Sequence, residues 1–266
     1  MKAYKLGLIG AGRMGHAIVA SLVAQKKFLA REVFVAEPDG KARRRAARLG
    51  CRVSDCACEV SEKSRTILLA VKPQKIAEVA ERIRPSVRNK RVISILAGAT
   101  RARLLALLPG ARIVRVMPNT PLLAGCGAVV IARDRVSRAD LQFTIRLFSP
   151  LGRVWTAPEI WMNAVTALSG SGPALVAAFL EAYISAGRAN GLPAAESEAL
   201  AIQTLAGTSA LLRGGFGLTP KTLREMVTSP GGTTEAALAI FERRKLGRIV
   251  REAFDAAVRR GRTLSR

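Results

Sequence analysis

The segment that most constrains this chain is Gly10-Ala11-Gly12-Arg13-Met14-Gly15. It follows a short β-type run, Lys5–Ile9, and opens an apolar pattern of helical spacing at Ala17, Ile18, Leu22 and Val23. This is G-x-G-x-x-G between a strand and a helix. The first glycine allows a tight turn, the second lets a pyrophosphate approach the backbone, and the third lets helix pack on strand. The motif is weak alone, and its surroundings strengthen it. Glu32–Ala36 reads as a second strand, and Glu37 stands at its end, 22 residues past Gly15. An acid there can accept both ribose hydroxyls of an adenosine, which favours NAD. Arg43, Arg44 and Arg45, one helical turn onward, can meet a 2′-phosphate, so NADP and NAD both stay open.

The β/α alternation continues. Thr66–Val71 is a near-continuous apolar run, as expected of a buried parallel strand, and Pro73 in Lys72-Pro73 starts the next helix. Arg91–Ile95 is the following strand and ends in Leu96-Ala97-Gly98. Ile113–Val116 then leads to a rigid loop, Met117-Pro118-Asn119-Thr120-Pro121. Ligands of open α/β sheets bind beyond the carboxyl ends of the strands. Lys72, Gly98 and Asn119 each read as a turn residue in isolation, and their shared placement puts them at a cofactor crevice.

After Val154-Trp155 the periodicity changes, and from Glu159 onward the chain reads as helix. Ala164–Leu168 and Pro173–Leu180 flank Ser169-Gly170-Ser171-Gly172. The whole segment is apolar all round and must be buried, which in a domain of about 110 residues means a subunit interface. Later helices are expected over residues 193–212, 221–227, 234–245 and 247–262. The reading is an α/β Rossmann dinucleotide-binding domain, residues 1–157, followed by an all-α domain, residues 158–266.

The formal net charge is +24, from 43 basic and 19 acidic residues. Residues 1–150 hold 29 of the basic ones, whereas residues 151–200 carry 2 basic and 4 acidic. No aromatic side chains interleave with the basic ones as a base-stacking platform requires. A solvated surface that attracts anionic cofactors and substrates accounts for the charge, and nucleic acid is not the expected partner. No stretch of about 18 uncharged apolar residues is read, so no membrane span is expected. The N-terminal apolar run is too short for a secretory signal, and a cytoplasmic location follows. Cys51, Cys56 and Cys58 form C-x4-C-x-C, Cys126 stands apart, and His16 is the one histidine. Reduced thiols and no metal site are expected. His16, beside the glycine loop, reads as structural or solvent-facing.

Ser229-Pro230-Gly231-Gly232-Thr233-Thr234 places three residues that bend or restrict the backbone ahead of two hydroxyls and a helix-forming run. That order delivers free N–H groups and partial positive charge to a helix start, where a small carboxylate can be held. An ordinary capped helix start is the competing account of this stretch taken alone.

Together, Gly10–Gly15, Ala70-Val71-Lys72-Pro73, Met117–Pro121, Ala164–Pro173 and Ser229–Thr234 resemble the pyrroline-5-carboxylate reductase family. They stand in the family's order over nearly the whole length, and the last two together are specific to it. The resemblance implies a helical domain that interlocks with a second subunit, and decamers built as pentamers of such dimers. It implies hydride transfer from NAD(P)H to the imine carbon of 1-pyrroline-5-carboxylate, giving L-proline. On this basis Ser229, Gly232, Thr233 and Thr234 hold the substrate, Thr234 is the catalytic hydroxyl nearest the imine nitrogen, and Glu159 is a further substrate-side candidate. The cofactor positions are Gly10, Ala11, Gly12, Arg13, Met14, Gly15, Val71, Lys72, Pro73 and Ala97, joined by Glu37 and Asn119 from their strand-end placement. The chain departs from the family pattern at Asn163, Leu175 and Ser185, where acid, tyrosine and acid are usual, and around Ala57, where asparagine is usual.

The chemistry agrees. A cyclic imine is already electrophilic, so its reduction needs positioning and a proton source and no nucleophile or metal. β-Hydroxyacid dehydrogenases share the two-domain plan and need a lysine soon after a glycine-rich stretch. Here no lysine follows Gly172 until Lys221. A non-catalytic dinucleotide- or nucleic-acid-binding protein would not need the Ser229–Thr234 loop intact.

Overall fold

The computed structural model describes residues 3–264. The strands are β1 (Tyr4–Ile9), β2 (Val33–Ala36), β3 (Arg52–Ser54), β4 (Ser64–Leu69), β5 (Arg91–Ser94), β6 (Arg112–Met117), β7 (Gly127–Ala132) and β8 (Gly152–Ala157); the central ones are apolar runs buried on both faces, whereas β3 and β8 are partly exposed. They make one sheet in the order β3-β2-β1-β4-β5-β6-β7-β8. The first six strands run parallel, β7 is antiparallel to β6, and β8 is parallel to β7. In register, Leu8 of β1 aligns with Val35 of β2 and Leu68 of β4.

The connecting segments supply the helices α1 (Arg13–Ala24), α2 (Gly40–Ala47), α3 (Ala57–Lys63), α4 (Ile76–Ile83), α5 (Arg101–Leu107) and α6 (Arg138–Phe148). Side chains alternate along each strand, so the sheet feeds two cores. Leu6, Leu8, Leu68 and Val114 pack with Ile18 and Leu22 of α1 and Phe148 of α6. Phe34, Ile67, Leu69 and Val92 pack with Val60, Ile76, Ile83 and Leu104 of α3, α4 and α5. Each such side chain contributes roughly 1.5–3 kcal/mol by leaving water, so this sandwich sets the rigid frame for the strand ends.

The remainder is helical: α7 (Met162–Val165), a π-helical turn (Thr166–Gly170), α8 (Gly172–Ala189), α9 (Ala194–Arg213), α10 (Pro220–Met226), α11 (Thr233–Arg243) and α12 (Leu246–Leu264). Two compact units result, Met1–Pro173 with Ala256–Arg266, and Ala174–Asp255. This division falls after Pro173. Met162 and Ala167 are buried, Met162 packs with Val130 and Ala132, and Gly170 sits against the Met117 side chain. These contacts attach α7 and the π turn to the sheet-bearing unit.

Three expectations are corrected. β3, β7 and β8 are strands that the sequence pattern left unread; β3 is only three residues long, and β8 is partly exposed at the sheet edge. Cys56 and Cys58 are paired as a disulfide, because the start of α3 turns them toward each other with Cα atoms 5.5 Å apart; Cys51 and Cys126 are free. The 21 residues from Ile160 to Leu180 carry no charge, and Glu159–Ala189 is long and apolar enough to cross a membrane by length and composition.

Candidate active site

The carboxyl ends of five parallel strands are stitched side by side. Glu37 N donates to Ser54 O, Gly10 N to Ala36 O, Ala70 N to Ile9 O and Ile95 N to Leu69 O. This brings Gly10–Gly15, Glu37, Val71, Lys72, Pro73 and Ala97 to one edge of the sheet, as expected of a dinucleotide crevice.

The three glycines have three distinct physical reasons. Gly10 has φ +94°, and a Cβ there would lie 2.8 Å from the Ala70 carbonyl oxygen. A Cβ on Gly15 would collide with the Gly10 carbonyl oxygen and lie 3.0 Å from the Ala70 Cβ. Gly12 is different: nothing lies within 4 Å of where its Cβ would stand. It is the N-cap of α1, with φ −60° and no side chain capping the helix. The open side and the uncapped N–H groups make a cradle for an anion that a side chain at position 12 would fill.

Glu37 is held in an unforeseen way. Ala11 N donates to its Oε2 at 2.6 Å and Asp39 N to its Oε1 at 3.0 Å. The carboxylate therefore braces the glycine loop, and both oxygens already hold a backbone N–H. Arg43 Nη1 donates to the Glu37 carbonyl at 2.9 Å, and Arg45 Nη2 to the Ala11 carbonyl at 3.1 Å. Arg13 and Arg44 are exposed beside them. Guanidiniums thus border the position that a 2′-phosphate would need. His16 is half-buried; burial pulls its imidazole below the usual value, and the Arg45 charge adds to this.

Lys72 is exposed, and Pro73 begins a short turn ahead of α4. Asn119 is buried, and its Oδ1 accepts from Ala128 N at 2.8 Å, tying the loop after β6 to β7. Glu159 stands in the sheet-bearing unit, where its Oε1 accepts from Arg101 N at 3.0 Å and Arg115 Nη1 at 2.8 Å. Arg115 was not singled out by sequence. Its signal was an arginine inside the apolar strand Arg112–Met117, since a buried guanidinium needs a carboxylate.

The second group, Ser229, Gly232, Thr233 and Thr234, lies in the 174–255 unit. Gly231 has φ +72°, which favours glycine. Gly232 N donates to Ser229 O at 3.0 Å, closing the turn. Gly232 caps α11 without a side-chain hydrogen bond, and Glu235 Oε2 reaches back to accept from Gly231 N at 2.8 Å. Ser229 and Thr233 are exposed and Thr234 is half-buried. The first N–H groups of α11 and three hydroxyls therefore share one helix start, the arrangement the sequence pattern predicts. It can bind a carboxylate and orient a nitrogen.

The family model for pyrroline-5-carboxylate reductase dimerisation matches residues 159–264, and that for coenzyme F420-dependent NADP oxidoreductases matches residues 5–98. Pyrroline-5-carboxylate reductase from Synechocystis is 39% identical, over 98% of each chain. The Haemophilus influenzae enzyme of that name is 36% identical, over 97% of each chain. The crystal structure of Plasmodium falciparum pyrroline carboxylate reductase with NADP bound superposes with a TM-score of 0.91 at 28% identity, over 100% of both chains. With matches that run from end to end and a glycine crevice of the expected form, this chain belongs to the pyrroline-5-carboxylate reductase family of oxidoreductases.

Proposed function

We propose that the protein reduces 1-pyrroline-5-carboxylate to L-proline at the expense of NADPH. The observation that carries this reading is the pairing, in one chain, of an open glycine cradle at Gly12 with the uncapped, hydroxyl-bearing helix start at Ser229–Thr234. NADPH, when bound, supplies the hydride. Gly10, Ala11, Gly12, Arg13, Met14 and Gly15 would hold its pyrophosphate, and Val71, Lys72, Pro73, Ala97 and Asn119 would flank the rest. Arg43 and Arg45 already lie on the glycine loop and on Glu37, which supports a 2′-phosphate on the adenosine.

The α11 N-terminus attracts the substrate carboxylate through its partial positive charge. Thr233 and Ser229 donate to it, and Thr234 orients the ring nitrogen and relays the proton it acquires. A threonine hydroxyl is too weak an acid to do more than relay, so most of the acceleration is positional. The active form is an interlocked homodimer, and a decamer built as a pentamer of such dimers is its larger assembly. A cytoplasmic site of action belongs to the same reading, with neither nucleic acid nor membrane as partner. The apolar stretch within Glu159–Ala189 is then subunit interface.

The test is an absorbance assay of the purified protein with NADPH and with NADH. Oxidation of NADPH only when a cyclic imino acid is supplied is the expected result. Tight cofactor binding with no turnover of any cyclic imine overturns the reading. So does salt-sensitive binding to DNA or RNA in place of turnover.

A further inference from the structure

We infer that Glu159 is a positioning residue of the cofactor crevice, which locks the loop Leu96–Thr100 to the sheet. This rests on the reading of Ala97 and Gly98 as cofactor-side residues. Arg101 is the first residue of α5, and its N–H donates to Glu159 Oε1 at 3.0 Å. The same oxygen accepts from Arg115 Nη1 at 2.8 Å. Arg115 is 3% exposed and lies on β6 in register with Ser94, the last residue of β5. One carboxylate oxygen thus ties the far end of the loop to the strand beside its near end. Glu159 is itself fixed, since its N–H donates to Asp134 Oδ2 at 2.5 Å.

The loop has a second anchor. Arg103 Nη1 donates to the Leu264 carbonyl at 2.9 Å. Gly98, with φ +76°, lies so close that a Cβ there would be 2.6 Å from the Leu264 Cβ. Leu96 and Ala99 are buried between these anchors. The two residues that begin and end the dimerisation match, Glu159 and Leu264, therefore hold the same cofactor-side loop. A buried guanidinium left without its carboxylate is strongly destabilising, so the Arg115 charge keeps Glu159 in place. Oε1 is doubly engaged, and Oε2 is buried without a hydrogen-bond partner among the described residues, so it is through Oε1 that the carboxylate acts as a brace.

The test compares Glu159→Ala with the double variant Arg115→Met/Glu159→Leu in the full-length protein. NADPH affinity is read by fluorescence titration without substrate, imine KM at saturating NADPH, and Tm by thermal unfolding. Glu159→Ala is expected to raise the NADPH Kd about tenfold, the equivalent of one charged hydrogen bond, and to leave the imine KM within about twofold. The double variant carries no unpaired charge and should recover Tm while its Kd stays raised, because Arg101 N still lacks its acceptor. It also decides the matter where the single variant does not fold. A lowered Tm with unchanged Kd in both variants makes Glu159 merely structural and overturns the inference. A raised imine KM with unchanged NADPH Kd overturns it too, returning Glu159 to the substrate side. The NADPH titration needs no substrate, so a failed substrate assignment leaves its outcome readable.

Discussion

Gly12 and Gly15 sit three residues apart in one motif, and the structure predicts opposite consequences for the same added methyl group. At Gly12 the backbone has φ −60° and ψ −172°, which alanine adopts freely, and the space beyond is open to 4 Å. Gly12→Ala should fold normally, with a small gain of about 0.4–1 kcal/mol from a less flexible unfolded chain. The methyl would fill the cradle, weakening NADPH binding and forcing a pyrophosphate outward by about 1 Å, and misplacement on that scale costs on the order of 100-fold in rate. At Gly15 the methyl would overlap the Gly10 carbonyl oxygen. That carbonyl cannot retreat, since Gly10 N is bonded to Ala36 O at 2.9 Å and the Gly10 position is closed by Ala70. Overpacking against fixed backbone costs about 3 kcal/mol, or a Tm loss of roughly 6–12 °C for a unit of this size. Thermal unfolding and NADPH fluorescence titration on both variants give the answer. Wild-type NADPH affinity in Gly12→Ala would refute the placement of the pyrophosphate, and an unchanged Tm in Gly15→Ala would refute the packing argument.

Three further outcomes follow from the same structure. Thr234→Ala should lower turnover about 10–100-fold, below the usual range for a general acid–base group because the hydroxyl only relays a proton, while leaving the NADPH Kd as it is; unchanged turnover removes the hydroxyl from the mechanism. Burial pushes the Cys51 thiol up to about 11, whereas Cys126 is free and exposed. Iodoacetamide near neutral pH should therefore label Cys126 and spare Cys51 until the protein unfolds, and mass spectrometry finding early label on Cys51 would contradict its burial. The His16 imidazole is held below its usual value of 6.5, so folding favours its neutral form. Its contribution to stability is complete above the unfolded value and is lost as pH falls through the folded one. His16→Asn should flatten the decline of Tm on acidification below 6.5, and parallel curves for variant and parent would rule that contribution out.

The unit 174–255 is instructive for what it leaves uncovered. Only Ser197, Ala201 and Leu223 are buried within it, too few for a self-sufficient core. Phe179 and Tyr183 are 48% and 51% exposed, and Leu200, Ile249 and Val250 are more open still. Apolar area on this scale needs a cover, since each large side chain taken fully from water contributes roughly 1.5–3 kcal/mol. The match of residues 159–264 to a dimerisation model identifies that cover as self-association. Within the apolar stretch Ile160–Leu180, Ile160, Trp161 and Leu168 are exposed as well, while two residues of its first half are held by the sheet-bearing unit. Met162 and Ala167 are each 1% exposed, Met162 packs with Val130 and Ala132, and a π-helical turn runs into Gly170 and Gly172 between the halves.

What could be read from sequence divides along physical lines. Features set by local backbone demands were legible: the glycines at 10, 12 and 15, the turn at Gly231, and helix ends within a few residues. So were the continuous apolar strands, because burial on both faces leaves an unmistakable pattern. β7 was legible too and was passed over. Nine residues separate Met117 from Gly127, fewer than the dozen or so that a parallel crossover needs. That spacing alone argues for the antiparallel pairing observed. Side-chain destinations were a different matter. Glu37 has the position of a ribose ligand, and its carboxylate also takes two backbone donors, Ala11 N and Asp39 N. Glu159, given a substrate-side role by resemblance, also takes a guanidinium buried 44 residues earlier. In both cases the decisive partner is a donor that the fold leaves unpaired, and no spacing rule along the chain reveals which donor that will be. A charged residue inside an apolar strand, as at Arg115, is the exception, because a buried charge must bring its counter-charge with it.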